Sequence, residues 1–329
     1  MPDDARLLVA DKSQDVGRAA LDGLLQAQKS LPPWLFYDEE GCRLFQRITE
    51  LPEYYLTRTE RALLITVAPR VVSDFSRNDT GTVLIEYGAS DESKADALLA
   101  ASDATGGSVF GAYVPIDVAA PALNAMAARL RRARPDLVVH PIAADFLRPV
   151  SLPPALARLA RLGFFPGSTI GNMRPLVAQR FLRQAQATLG PGARFLVGAD
   201  LRKDPDLLIP AYDDAAGVTA AFNLNLLVRL NREAAADFDL TGFDHRAVWN
   251  DRESRIEMHL VSRHRQIVRV AGVAIPFAAG ETIHTEDSYK HTEAAFEAIA
   301  TAAGWTLSAI WTDPARLFAL YLLEGPASS

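Results

Sequence analysis

The sequence predicts an α/β protein: a parallel sheet covered by helices, with a second block of helices and antiparallel strands inserted into it. Three observations support this prediction. A short apolar run, a glycine turn and a helical pattern follow one another at residues 82–94. Further alternations of strand and helix patterns extend to residue 199, which predicts parallel strands joined by right-handed crossovers. The alternation stops at Asp200 and returns only after residue 291.

The first strand and its turn have the composition of a ligand-binding unit. Residues 83–85 (Val-Leu-Ile) are continuously apolar, as expected for a strand buried on both faces. Gly88 allows a sharp turn and the close approach of a ligand, because it has no Cβ. Asp91 and Glu92 predict a helix N-terminus at this point. Together these features are typical of the first unit of a nucleotide-binding α/β fold.

The same turn favours a ligand without phosphate. The dinucleotide fingerprint requires a second glycine two residues after the first, where this chain has Ser90. Asp91 and Glu92 would repel a pyrophosphate at the helix start, and Glu86 at the strand end favours a cationic or neutral ligand. S-adenosylmethionine has a sulfonium, an ammonium and no phosphate. An ordinary βα turn without a ligand stays an alternative for this stretch taken alone.

The second and third strands end in residues that suit a nucleoside. The strand at residues 113–117 ends in Asp117, and a carboxylate there can accept both ribose hydroxyls. The strand at residues 137–142 is followed by Asp145 and Phe146. An acid and an aromatic ring in this place can contact the edge and the face of an adenine.

A fourth strand, at residues 161–165, leads into a loop at residues 166–172 with two glycines and three small polar side chains. This composition suits a loop that fits closely around a substrate. A fifth strand at residues 194–199 completes the predicted parallel set. The helices that accompany these strands are expected at residues 58–74, 92–105, 119–134 and 175–188.

The block after Asp200 has a different pattern. Residues 203–245 have helical patterns, and residues 246–285 alternate as antiparallel strands do. A helix at residues 292–303 and strands at 305–311 and 318–324 then return to the α/β pattern. An antiparallel final hairpin on a parallel sheet is typical of methyltransferases.

We therefore expect two domains. Residues 58–202 plus 292–329 would form the cofactor domain, and residues 1–57 plus 203–291 an inserted α+β substrate-binding domain. Residues 34–60 are dense in aromatic rings. Two interpretations stay open: a docking segment whose rings pack onto a core, or a pocket wall that holds an organic cation.

Composition narrows the class of protein. The chain has 329 residues, of which 49% are hydrophobic and 22% charged, so it can form a core. A formal net charge of −6 and a pI of about 5.6 argue against a nucleic-acid partner. The lone Cys42 and scattered histidines predict neither a disulfide framework nor a metal site. No apolar run or N-terminal pattern indicates a membrane span or a signal peptide, so we expect a cytoplasmic protein without a membrane partner.

Six segments carry a resemblance that extends over nearly the whole chain. They are residues 31–38 (LPPWLFYD), 51–60 (LPEYYLTRTE), 167–172 (GSTIGN), 211–223 (AYDDAAGVTAAFN), 255–258 (RIEM) and 285–288 (TEDS). In this order they resemble the L-histidine Nα-methyltransferases of ergothioneine biosynthesis.

The resemblance implies a Rossmann-like class I methyltransferase sheet with an inserted substrate-binding domain. It implies an enzyme that uses S-adenosyl-L-methionine to trimethylate the α-amine of L-histidine, giving hercynine and S-adenosyl-L-homocysteine, and that acts as a monomer. The chemistry suits this: in-line methyl transfer depends mostly on positioning, and aromatic walls tolerate the growing cation.

The resemblance also assigns residues. Those expected at the cofactor are Gly88, Lys94, Asp117, Asp145 and, near its reactive end, Gly167; Phe146 joins them from its place after the third strand. Asn172 and Tyr212 match the pair that holds the substrate carboxylate, and Glu286 and Ser288 the pair that recognises the imidazole, with Met258 beside the ring. The residues expected around the amine are Tyr37, Phe45, Tyr55, Thr219 and Phe222. Tyr37 is the catalytic candidate, as a hydrogen-bond partner of the attacking amine.

Other interpretations stay open beside these assignments. Glu286 can cap a strand or pair with an arginine, Met258 can belong to the core, and Lys94 can be a helix-surface residue. The family usually has Gly-Ser-Gly where this chain has Gly88-Ala89-Ser90 followed by Asp91. A homologue with weakened catalysis is therefore one alternative function, and a methyltransferase for another amine, such as tryptophan, is another. A nicotinamide dehydrogenase is disfavoured by the missing second glycine.

Overall fold

The structure, a computed structural model, describes residues 12–75, 81–89, 92–105 and 108–327. Within them the α-helices are α1 (Lys12–Leu24), α2 (Glu39–Thr49), α3 (Tyr55–Ser73), α4 (Ala95–Asp103), α5 (Ala120–Ala133), α6 (Pro175–Leu189), α7 (Pro205–Leu208), α8 (Val218–Glu233) and α9 (Glu293–Ala302). The strands are β1 (Lys29–Ser30), β2 (Thr82–Tyr87), β3 (Phe110–Asp117), β4 (Val138–Val139), β5 (Ile142–Ala143), β6 (Ala160–Phe165), β7 (Arg194–Asp200), β8 (Phe243–Asn250), β9 (Arg255–Ser262), β10 (Gln266–Val270), β11 (Val273–Phe277), β12 (Thr282–Tyr289), β13 (Thr306–Thr312) and β14 (Phe318–Glu324). No helix in these ranges is long and apolar enough to span a membrane.

Two compact units divide the chain. The sheet unit consists of Leu56–Arg202 together with the chain from Tyr289 onward. The insertion unit consists of the chain up to Tyr55 together with Lys203–Ser288.

The sheet unit is built on strands in the order β13-β14-β7-β6-β2-β3-β4, with β5 also pairing with β3. Strands β2 to β7 pair in parallel, and β14 is antiparallel to both β7 and β13. With β4 and β5 counted as one interrupted strand, the order in chain numbering is 3-2-1-4-5-7-6. This order and its antiparallel hairpin confirm the Rossmann-like class I methyltransferase sheet that the sequence predicts.

Burial on both faces explains why β2 forms the centre of this sheet. Val83 and Ile85 contribute to the core on one face, beneath α6 and α9, and Leu84 contributes to the core on the other, with α3, α4 and α5. All three side chains are completely buried, and burying a large aliphatic side chain stabilises a fold by about 1.5–3 kcal/mol. The continuous apolar run therefore gave the correct strand, Thr82–Tyr87.

Two of the predicted elements that differ from the structure lie near the carboxyl edge of the sheet. The helix expected to begin near Asp91 begins at Ala95. The Glu92 carbonyl accepts from the Asp96 N–H at 2.9 Å, and the Glu92 carboxylate pairs with Arg129 of α5 at 2.6 Å. Ser90 and Asp91 lie outside the described residues. The third predicted strand, residues 137–142, is divided into β4 and β5 around Pro141, because proline has no N–H for the ladder.

The insertion unit combines helices with a sheet in the order β1-β12-β9-β8 and a separate β10-β11 hairpin. Strand β1 is parallel to β12, while β8 and β9 are antiparallel. Helix α8 packs against α1, α2, β8 and β9. The predicted α+β character of this block is confirmed.

Candidate active site

Gly88 forms the turn that follows β2 at the carboxyl edge of the parallel sheet. Its N–H donates to the carbonyl of Ile116 in β3 at 2.8 Å, and its φ of +72° lies in the left-handed region that favours glycine. A Cβ at this position would lie 3.7 Å from the Phe146 ring, which is ordinary contact. Glycine is therefore required here by backbone conformation more than by space.

Asp117 and Asp145 follow neighbouring strands. Asp117 ends β3 opposite Ala143 of β5, and its carbonyl accepts from the N–H of Ala144 at 2.9 Å. Burial raises the pKa of Asp117, although N–H groups of the following residues oppose the shift. Asp145 is exposed, while Phe146 is half-buried with its ring centroid 5.7 Å from that of Phe165. The structure thus brings Gly88, an acid and an aromatic ring to one edge of the sheet, where α/β folds bind ligands.

Gly167 and Lys94 meet beside that edge. Gly167, with φ of +83°, follows β6, and a Cβ on it would lie 2.7 Å from Lys94 Nζ. Lys94 Nζ is 2.9 Å from Glu60 Oε2, and its side chain is 29% exposed. Lys94 therefore lies against the Gly167 loop and is more than a helix-surface residue.

Asn172 lies in the same loop as Gly167, at the end of a short 3-10 helix, Thr169–Asn172, and is half-buried. Ser168 holds this loop through its Oγ, which accepts from the backbone N–H of Asp200 at 2.9 Å.

One sequence argument about this region is wrong. Glu86 was expected at the strand end as an acid favouring a cationic ligand. It is 1% exposed, and its carboxylate accepts a hydrogen bond from the Tyr113 hydroxyl. Glu86 is the penultimate residue of β2, and its buried carboxylate is bound by Tyr113 of the neighbouring strand β3.

Aromatic side chains form a cluster in the insertion unit. The rings of Phe36 and Phe222 stack with centroids 4.4 Å apart, and Tyr37 and Phe45 pack edge-on at 6.2 Å. Phe45 also lies 6.0 Å from Phe222. Tyr37 is 45% exposed, so its ring is available to a ligand. The structure therefore brings together three of the five residues expected around the amine.

Tyr54 extends this cluster to the predicted carboxylate end. Its ring lies 6.4 Å from Phe45 and 6.2 Å from Tyr212. Tyr212 and Ser288 share a hydrogen bond of 2.8 Å between their hydroxyl oxygens, and both residues are buried. Sequence reasoning included Tyr54 only in the ring-dense segment at residues 34–60, as part of a docking segment or a pocket wall, and not among the individual site residues.

His245 forms a hydrogen bond with the backbone of Tyr212. Its Nδ1 is 2.8 Å from Asn223 Nδ2, which can only donate, so its Nε2–H donates to the Tyr212 carbonyl at 2.8 Å. Burial lowers the pKa of His245, which favours this neutral tautomer. The network fixes the backbone that carries Tyr212.

The remaining candidates of the insertion unit lie on β9, β12 and α8. Glu286 is 9% exposed and precedes Ser288 by two residues in β12, so strand alternation predicts that both side chains share a face. Thr219, near the start of α8, donates its N–H to Asp214 at 2.7 Å. Met258 is 2% exposed, and its carbonyl accepts from Thr285.

Tyr55, another residue expected around the amine, contacts Lys203. Its hydroxyl accepts from Lys203 Nζ at 2.7 Å.

The sequence did not reveal a charged cluster between β9 and β12. Glu257, His259 and His284 offer ligand atoms within 4.8 Å of one another, although the histidines had seemed scattered. Arg255 is 2.6 Å from Glu257 and 3.1 Å from Asp287, and hydrogen bonds outweigh burial to lower the pKa of Glu257 to about 2. The Arg255 guanidinium therefore neutralises the carboxylates of Glu257 and Asp287 in this cluster.

Comparison with known proteins gives the same family from independent chains. The histidine N-alpha-methyltransferase of Mycolicibacterium smegmatis is 42% identical over 322 residues, which are 97% of this chain and 98% of that protein. Its counterpart in Mycobacterium tuberculosis is 41% identical, covering 94% of this chain and 96% of that protein. Ergothioneine biosynthesis protein 1 of Neurospora crassa is 31% identical over 62% of this chain and 23% of that protein.

A family profile matches nearly the whole chain. The profile described as "histidine-specific methyltransferase, SAM-dependent" matches residues 16–325, which include the glycine turn, the Gly167 loop and the strand with Glu286 and Ser288. The chain therefore belongs to the family of histidine-specific, S-adenosylmethionine-dependent methyltransferases.

Proposed function

We propose that this chain methylates the α-amine of L-histidine with S-adenosyl-L-methionine, up to N,N,N-trimethylhistidine (hercynine), and releases S-adenosyl-L-homocysteine. This is the first step towards ergothioneine. The observation that carries the substrate assignment is the match to the histidine-specific family over residues 16–325. It is supported by the 2.8 Å hydrogen bond between Tyr212 and Ser288, two residues proposed to hold the two ends of the amino acid. The sheet unit is proposed to bind the cofactor and the insertion unit the substrate.

The residues at the edge of the sheet fit this cofactor. Gly88 offers a turn without a Cβ, Asp117 offers a half-buried carboxylate for the ribose hydroxyls, and Phe146 offers a ring for the adenine. The bound cofactor supplies a methyl group on a sulfonium, which is transferred by in-line displacement. Gly167 is the residue proposed near that end.

The insertion unit is proposed to orient the amino acid. Tyr212 binds the substrate carboxylate, a role shared with Asn172. Glu286 accepts an N–H of the imidazole, and Ser288 contacts the same ring. Specificity follows because a side chain without that N–H cannot form this hydrogen bond with the buried, charged carboxylate of Glu286. Met258 is proposed beside the ring.

Tyr37 is proposed to hydrogen-bond the amine, which must be neutral to attack. The amine nitrogen forms the new N–C bond while the C–S bond breaks towards sulfur, and the methylated amine then loses a proton before the next cycle. Phe45, Phe222, Thr219 and Tyr55 are proposed to line this region. Aromatic faces suit the product, since trimethylammonium keeps its charge without donating hydrogen bonds.

Product analysis tests the proposal. The purified chain is incubated with isotope-labelled cofactor and, separately, L-histidine or L-tryptophan, and the products are analysed by mass spectrometry. We expect histidine with one, two and finally three labelled methyl groups. Incubation with S-adenosylhomocysteine instead is the matched control. Absence of label on histidine would reject the proposal, and faster labelling of tryptophan would assign the chain to another amine.

A further inference from the structure

Glu60 occupies an unusual place in the sheet unit. It lies in α3 and is 1% exposed, yet both of its carboxylate oxygens contact the predicted cofactor residues. Oε1 accepts from the Gly167 N–H at 2.6 Å, and Oε2 lies 2.9 Å from Lys94 Nζ. One carboxylate therefore joins α3, the residue before α4 and the loop after β6.

Two glycines make room for this arrangement. A Cβ at Gly198 of β7 would lie 2.4 Å from Glu60 Oε1, and a Cβ at Gly167 would lie 2.7 Å from Lys94 Nζ. Real Cβ atoms do not approach so closely. The two glycines leave space for a carboxylate and an ammonium at these points, and the 1% exposure of the Glu60 side chain distinguishes the pair from a surface ion pair.

The neutralisation of Lys94 by Glu60 affects which charge the bound ligand can carry. The methyl donor carries a sulfonium, whereas the demethylated product carries a neutral thioether at the same place. An unpaired lysine ammonium beside the Gly167 loop would disfavour the cation more than the product. A carboxylate 2.9 Å from that ammonium cancels most of this repulsion.

We propose that Glu60 is a positioning residue that fixes Lys94 against the Gly167 loop and, by neutralising it, lets the site accept a cationic methyl donor. This inference rests on the proposed use of S-adenosylmethionine. Glu60 acts through Lys94 and through the Gly167 N–H, and no contact of Glu60 with the ligand is required.

Calorimetric measurement of the binding of S-adenosylmethionine and S-adenosylhomocysteine separates the effect of the Glu60 charge from a general structural effect of the substitution. In Glu60→Gln the side-chain oxygen can still accept from Gly167, but the charge opposing Lys94 is gone. We expect the affinity for the methyl donor to fall about tenfold and that for the product about twofold, the scale of a lost partly buried charge. The ratio of the two dissociation constants is the readout.

Two further variants test the cause. Lys94→Met added to Glu60→Gln removes the unopposed ammonium, so the ratio should return to within about twofold of the wild type. Gly198→Ala would place a Cβ 2.4 Å from Glu60 Oε1, the oxygen that accepts from the Gly167 N–H, while the carboxylate charge that opposes Lys94 is kept. It should therefore weaken both ligands by similar factors, and a changed ratio in this variant would contradict the role given to the charge.

The outcomes are distinguishable. An unchanged ratio in folded Glu60→Gln, or a changed ratio that Lys94→Met does not restore, overturns the role of Glu60. A wild-type chain that binds neither ligand, even with histidine present, instead overturns the proposed function on which this role rests.

Discussion

The hydroxyl of Tyr212 lies 2.8 Å from that of Ser288, across 76 residues of sequence. Tyr212 follows α7, whereas Ser288 lies in β12. In the proposed reaction the first residue binds the carboxylate of histidine and the second contacts its ring. The two ends of the substrate site are therefore coupled before any ligand binds.

This coupling predicts non-additive effects of mutation. Tyr212→Phe should lower kcat/KM for histidine by roughly tenfold to a hundredfold, because a hydrogen bond to a charged carboxylate contributes about 1.5–3 kcal/mol. Ser288→Ala should cost less, about twofold to tenfold. The double variant should lose less than the product of the two, by about 1 kcal/mol of coupling.

Steady-state kinetics of the four chains measure this cycle. Ser308→Ala, an exposed serine of β13 bonded to Glu324, is the matched control and should leave kcat/KM unchanged. Strict additivity of Tyr212→Phe and Ser288→Ala would contradict the coupling.

Glu286 should decide substrate preference. Replacing it by glutamine keeps the shape but removes the charge that accepts an imidazole N–H. We expect Glu286→Gln to raise KM for histidine by about tenfold or more and to narrow the preference for histidine over tryptophan, since a charged hydrogen bond is lost. Competition between the two amino acids, read by mass spectrometry, measures the preference.

Asp287→Asn is the matched control for this change. Asp287 is the next residue of the same strand, but its carboxylate pairs with Arg255 and His284, at 3.1 and 3.0 Å. It should lower stability without altering the preference between amino acids. An unchanged preference in Glu286→Gln would remove Glu286 from the recognition of the ring.

Sequence reasoning succeeded where the signal is local. Strands β2 and β14 have the predicted boundaries. A strand buried on both faces is apolar at consecutive residues, so the sequence shows where it begins and ends. The helix expected near Asp91 begins at Ala95. The carboxylate of Glu92, which suggested the earlier start, pairs with Arg129 of another helix, a contact that composition cannot reveal.

Relationships between distant segments were not predictable from pattern. Glu60 stood in a quoted motif without a role, because its partners Lys94 and Gly167 are remote in sequence and meet only in the folded sheet unit. The cluster of His259 and His284 depends on β9 lying beside β12. Strand adjacency of this kind is a property of topology and is absent from the spacing of histidines.

Gly88 should be sensitive to a methyl group for conformational reasons. Its φ of +72° imposes a cost of about 1–2 kcal/mol on alanine, although the Cβ would make only ordinary contact with Phe146. We expect Gly88→Ala to lower the free energy of unfolding by that amount and to weaken binding of S-adenosylmethionine. Urea unfolding and calorimetry measure the two effects.

The control variant Gly192→Ala separates the effect on stability from the effect on cofactor binding. Gly192 has a similar φ of +67° and open space around it, but it lies in the turn before β7, away from the carboxyl edge of the sheet. It should share the loss of stability and keep the affinity. Equal affinities of both variants for the cofactor would show that the Gly88 turn does not border it.

Acid should destabilise the sheet unit through His291. Burial, with a smaller effect of Lys290 and against the attraction of Asp200, lowers the pKa of His291 to about 4. Its Nε2 has no hydrogen-bond partner among the described residues. In the unfolded chain the pKa returns to about 6.5, so the unfolded state binds the proton first as the pH falls. Stability is therefore full above about pH 6.5 and is lost progressively down to about pH 4, by about 3 kcal/mol in total.

A variant without the imidazole isolates this effect. Wild type should lose about 2 kcal/mol more than His291→Gln between about pH 7 and about pH 5, because glutamine does not titrate. The lowered pKa values of His245 and His259 act in the same direction but are present in both chains, so they cancel in the difference. Urea unfolding at a series of pH values gives the two slopes. The prediction assumes that burial, at 5% exposure, hinders protonation of His291 in the folded chain. Parallel slopes would contradict it, because they would mean that His291 takes up its proton as readily in the folded chain as in the unfolded one.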